Sequence, residues 1–216
     1  NVSIFNPEIN QGHLAVTFLK SFGLSLAKYN FWGDQNWRHN FPPYPILDPI
    51  TGIAFTFSLI YVIIKIFHIL HLRFFKSFNH PNFEAYMLLL SWLFIMLSPE
   101  FMTAEGNPHA LRSIGTLPAV FILAALTFEF FLKKSEKYSY IHQKVSVFLV
   151  VLMLLVAGAF NAVKYHLVWA KKAEVAQSFD QNLMDISEYI KSLPKNEDKF
   201  IIVESMQRIP IQLFNW

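Results

Sequence analysis

Four apolar runs constrain this chain more than any other feature. About 20 helical residues cover a hydrocarbon core roughly 30 Å thick, and segments 46–67, 82–98, 108–132 and 145–169 are of that order. Within a bilayer the backbone must satisfy its own hydrogen bonds, so such segments form helices. The expected fold class is an all-α membrane protein, with a multi-pass bundle of about four transmembrane helices over residues 46–169. The second run is the weakest, because its unbroken apolar stretch is only 86–97. Pro81 and Glu84 suit a helix N-terminus and support a start at Asn82, while a buried or re-entrant helix stays open there. Composition agrees: 15% of residues are charged, against roughly 25% in average soluble domains. Aromatic residues reach 17%, which excludes a disordered chain.

Basic residues sort by side. Arg73 and Lys76 lie in the 68–81 connection, and Lys133, Lys134, Lys137 and Lys144 lie in or beside the 133–144 connection. The positive-inside rule places both in the cytoplasm. Residues 1–45, 99–112 and 170–216 then lie outside it, although Lys164, Lys171 and Lys172 weigh mildly against this. Topology thus accounts for most of the net charge of +3, and nucleic acid is not an expected partner. Lys65 can snorkel to the near interface, and Glu129 stands four residues before Lys133 in the favourable helical order.

Outside the membrane, residues 11–28 carry Leu14, Phe18, Leu19, Phe22 and Leu26 at helical spacing, with Lys20 and Lys28 off that stripe. This pattern predicts a helix lying on the membrane surface. Tyr29, Phe31, Trp32, Trp37, Phe41 and Tyr44 follow it as an interfacial aromatic belt. Beyond the fourth run, Ala176, Phe179, Leu183, Ile186, Ile190 and Leu193 form an amphipathic helix pattern ending at Pro194. The run 200–203 reads as a strand, so 170–216 is expected to begin a small extracytoplasmic α/β domain that is cut short.

Two polar loops on the outer side hold most of the chemistry. Loop 33–49 contains Asp34, Arg38, His39 and Asp48, and loop 98–115 contains Glu100, Glu105, His109 and Arg112. Asn107 followed by Pro108 suits an N-cap and first helical position, which would put His109 and Arg112 on one face of a first turn. An arginine there opposes the helix dipole unless an anion sits between it and the free amides. Phosphate matches the guanidinium fork; alternatively, Arg112 pairs with Glu105 or Glu100 and fixes the loop. Asp34 and Asp48 read as caps or turn residues. With no cysteine, thiolate chemistry is absent, and seven glycines include no phosphate-cradling loop. His68 and His71 have no third ligand nearby, so no metal site is expected there. No motif supports a Ser–His–Asp nucleophile.

The strings NPEINQG, GDQNWRHNFPPYPILDP and EGNPHALRSIGTLPAVFILAA resemble the C-terminal half of bacterial family 39 glycosyltransferases. That family includes membrane enzymes related to protein mannosyltransferases and lipid A aminoarabinose transferases. The resemblance covers most of residues 1–170 and implies a bundle like that of C-type glycosyltransferases in the bacterial cytoplasmic (inner) membrane. It implies transfer of a sugar from a polyprenyl-phosphate donor to a protein, lipid or glycan acceptor outside the cytoplasm. The family's catalytic acidic residue lies in its first outer loop and has no match here, so it is expected upstream of Asn1. The chain is read as a piece of a longer enzyme, inactive by itself. The resemblance also favours Arg38, His39, His109 and Arg112 as donor-phosphate ligands, with Glu105 in support. A rival class is a non-enzymatic membrane protein, such as a transporter or an assembly subunit. Transporters place ionisable groups and broken helices at mid-membrane, and these spans carry almost none, Pro118 being the one break the sequence suggests.

Overall fold

The computed structural model describes residues 2–76 and 80–194. They form helices α1 (Pro7–Asn10), α2 (Leu14–Ala27), α3 (Pro49–Lys76), α4 (Phe83–Phe101), α5 (Leu117–Ser135), α6 (Tyr140–Ala162), α7 (Ala173–Ser178) and α8 (Gln181–Ser192). Among the described residues four helical runs are long and apolar enough to cross a membrane: Pro49–Phe74, Phe83–Phe101, Leu111–Ser135 and Tyr140–Lys171. The described residues are therefore all-helical and of the multi-pass membrane class. The second run, the doubtful one by sequence, is a 19-residue helix. It continues past Ser98 through Pro99 in its last turn. Pro118 falls in the first turn of α5, where a missing N–H costs nothing, and so breaks no span.

The first compact unit, Asn1–Val163, is built around α3, α4 and α5. Ala54, Phe55, Val62, Ile66 and Ile69 of α3 meet Leu89, Leu93 and Leu97 of α4 and Ala119, Val120, Leu123 and Ala124 of α5. The recurring three- and four-residue steps are the inward stripe of each helix. Small residues at positions 119 and 124 let backbones approach, as in other membrane bundles. Inside the bundle, Ser58 and Thr127 hydroxyls lie 2.5 Å apart, and Thr127 donates to the Ala54 carbonyl at 2.7 Å. Polar atoms that lipid could not satisfy are thereby paired across α3 and α5. By contrast, Ala157 is the one buried residue of α6, so α6 lines the margin of the bundle.

Helix ends depart from the apolar limits for local reasons. α3 begins at Pro49 because the Asp48 carboxylate accepts from the amides of Ile50 and Thr51, both at 3.0 Å. Asp48 is thus the cap its sequence position suggested, and it also accepts from Asn161 on α6 at 3.0 Å. Glu129 and Lys133 form the expected pair at 2.5 Å.

α2 differs from expectation. Phe18 and Phe22 pack edge-on against Phe101 at the end of α4, while Leu14 and Leu19 are exposed. Its inward line also contains buried Ser21, Ser25 and, just past the end, Lys28. The apolar stripe therefore faces protein over part of its width, and the lysine assigned to the polar face is buried. The aromatic belt splits likewise: Tyr29 is buried with its hydroxyl 2.6 Å from Thr116 Oγ1, whereas Phe31, Trp32 and Tyr44 are exposed.

The second unit, Lys164–Trp216, is described to residue 194. The single amphipathic helix expected there is two, α7 and α8, broken where Asp180 adopts φ 58°. Of the expected stripe Leu183 is buried and Ile190 and Leu193 are half-buried, whereas Ala176, Phe179 and Ile186 are exposed and Val175 and Ser187 are buried instead. The expected strand at 200–203 lies outside the described residues. Among them no strand occurs, only an isolated bridge between Ser3 and Thr103. The described part of this unit, residues 164–194, is helical.

Candidate functional site

Alternating spans bring the start of α3, the end of α4 and the residues before α5 to one end of the bundle. Loops 33–49 and 98–115 meet there, as their shared predicted side requires. Asp34, 2% exposed, is the centre of the junction. Its Oδ1 accepts from the Asn36 amide at 2.8 Å, while Oδ2 accepts from the Ala110 amide at 2.7 Å and lies 3.1 Å from His39 Nδ1. One buried carboxylate thus shapes its own loop and fastens the other.

A second carboxylate does the same from below. Glu100, fully buried in the last turn of α4, pairs with the Lys28 ammonium, which also donates to Ser113 Oγ. Its other oxygen accepts from the His109 amide at 3.0 Å. Burial pushes the Lys28 pKa down, and the Glu100 charge offsets part of that shift.

These contacts revise the reading of Asn107 and Pro108. Their peptide bond is cis, and the helical backbone starts only at the 3-10 turn Leu111–Thr116. Asn107 caps nothing; its side chain donates to the Ser21 carbonyl at 3.0 Å and ties the loop to α2. The amides of His109 and Ala110 are filled by Glu100 and Asp34. The anions that the local geometry called for are therefore the protein's own carboxylates.

The five residues singled out by sequence separate into two groups. Arg38 and His39 line a cavity of about 300 Å³ beside Lys28, Ser113 and the apolar Ile46 and Leu117. His109 stands next to this group, with its ring centroid 4.9 Å from that of His39. Burial lowers the His109 pKa, the Asp34 charge opposing this and Arg112 adding to it. Arg112 is directed elsewhere: its Nη1 donates to the Glu105 carbonyl at 2.6 Å. Arg112 thereby fastens its own loop through the backbone carbonyl of Glu105.

Lys28, Asp34 and Glu100 were not assigned to the site by sequence. Lys28 falls three residues after Ser25 and seven after Ser21, on the inward line of α2, and that periodicity was the available signal. Asp34, His39 and His109 offer ligand atoms that all lie within 4.8 Å of one another, a set fit to hold a cation. No sequence spacing announced it, because loop pairing and not local order brings His109 to the other two.

The loop's closure gives a direct prediction. A Cβ on Gly33 would sit 2.1 Å from the Tyr44 carbonyl oxygen and 2.2 Å from Asn40 Nδ2. Gly33→Ala should destabilise the protein by about 1–3 kcal/mol, the usual cost of overpacking, read as a lowered unfolding midpoint in detergent. An unchanged midpoint would mean that this loop is not closed on itself.

No protein-family model, curated protein or solved structure matches the chain.

Proposed function

We propose that the chain is part of a membrane glycosyltransferase that takes a sugar from a polyprenyl-phosphate donor, and that its cavity receives the donor's phosphate. The observation that carries this reading is the cavity's mixed lining at one end of the spans. Arg38 supplies positive charge beside the buried Lys28–Glu100 pair, while Ile46, Leu111, Ile114 and Leu117 supply apolar surface in the same wall. An amphiphile with an anionic head and a hydrocarbon tail fits that combination, and span ends lie at headgroup depth. Arg38 offers a planar fork for phosphate oxygens, and charge stabilisation of the departing lipid phosphate is its expected contribution. The resemblance to family 39 glycosyltransferases supports the same assignment. In this reading the cavity faces outward from a bacterial cytoplasmic membrane, and the acceptor is a protein, lipid or glycan.

The test is binding of polyprenyl phosphate to the full protein in nanodiscs, against polyprenol of equal length. Arg38→Ala should weaken phosphate-lipid binding about 10- to 100-fold, the loss of one charge-assisted hydrogen bond, and leave polyprenol binding unchanged. Equal affinity of the wild-type protein for both lipids would remove the phosphate site.

A further inference from the structure

We infer that Asp34, His39 and His109 form a binding site for one divalent transition-metal ion of the zinc type, placed at the wall of the cavity. Three observations converge. The three donors lie within 4.8 Å of one another. His39 Nδ1 is 3.1 Å and His109 Nδ1 4.0 Å from the same Asp34 oxygen. Two ligands at ordinary zinc bond lengths stand about 3.3 Å apart in a tetrahedral site, so the widest gap need close by no more than about 1.5 Å. Finally, His109 Nδ1 is buried and has no hydrogen-bond partner among the described residues. A buried ring nitrogen left unpaired is costly, and a cation shared with Asp34 would satisfy it.

The donor set selects the ion. Two imidazoles and one carboxylate suit zinc and its first-row neighbours, whereas magnesium prefers oxygen ligands. Outer support is already in place. Asp34 is held by the Asn36 and Ala110 amides, and the His109 backbone is held by Glu100. Such supports fix ligand orientation in metal sites. Three protein ligands leave a fourth position for water or a ligand oxygen, and His39 lines the cavity from which that oxygen would come. The inference does not rest on sugar transfer; it concerns only what these three side chains hold.

The experiment uses the full protein, stripped with chelator and titrated with Co²⁺ in detergent. A visible absorption of tetrahedral or five-coordinate Co²⁺ should saturate at about one ion per chain. Zn²⁺ should displace it, and excess Mg²⁺ should not. X-ray absorption on the zinc-loaded wild type should show two imidazole ligands, a readout that needs no variant. His109→Ala removes a side chain without touching the Glu100 contact to its backbone. It should weaken Co²⁺ binding at least about 100-fold, since even outer-shell partners are worth 10- to 100-fold. Absence of a stoichiometric wild-type site, or undiminished binding in folded His109→Ala, would overturn the assignment. Lipid-phosphate binding measured on the same samples separates failure of this site from failure of the donor reading.

Discussion

Glu100→Ala should destabilise the protein by about 3–5 kcal/mol, the cost of stranding one member of a buried ion pair. Lys28 would have to bear an unpaired charge or give up its proton in a site where it is 1% exposed, with Ser113 as its remaining hydrogen-bond partner among the described residues. The His109 amide would lose its acceptor in the same step. The informative companion is Lys28→Met with Glu100→Leu. Removing both charges together should restore most of the loss, because well-packed apolar replacements of buried pairs are often neutral. A residual deficit of about 1–3 kcal/mol should remain for the unpaired amide. Reversible unfolding in mixed micelles measures both variants. If single and double replacements are equally damaging, packing rather than charge dominates at that junction.

Asp34→Ala is expected to have the next largest effect, through a different mechanism. It leaves the ion pair intact but removes the acceptor for two backbone amides and the partner of His39. Hydrogen bonds to a charged group contribute about 1.5–3 kcal/mol each, and partial compensation by water brings the expected loss to about 2–4 kcal/mol. The effect should be local. Amide protons of Asn36 and Ala110 should exchange far faster, while those of Leu93 and Leu123 in the bundle stay protected. Uniform loss of protection would show that Asp34 supports the whole bundle and is not a clasp between two loops.

The spans were legible because hydropathy in lipid is a strong signal, and the stripe through Val62, Ile66 and Ile69 needs no tertiary knowledge. Their ends were less so, because ends are set by single contacts. Asp48 starts α3 three residues after the apolar limit, and α4 carries its helix through Pro99 to Phe101. Meeting of the two polar loops followed from alternation of the spans. Inside that meeting place, charge alone did not reveal the partners. Arg112 has the right chemistry for phosphate, and its Nη1 donates to the Glu105 carbonyl. Lys28, read as solvent-facing, is a buried member of the site. Asp34 carried the signature of a turn residue, which it is, and that local role concealed its bond to Ala110 from the distant loop. A local pattern reports what a residue does for its neighbours in sequence, not what reaches it from elsewhere.

The central claim is that the Arg38-lined cavity serves transfer from a polyprenyl-phosphate donor. Its most direct test is sugar transfer from labelled polyprenyl-phosphate sugar by membranes containing the full protein. The account predicts label in acceptors for the wild type and a loss of about 10-fold or more for Arg38→Ala, with the variant folded and inserted. Donor-independent labelling, or full transfer by folded Arg38→Ala, would contradict it.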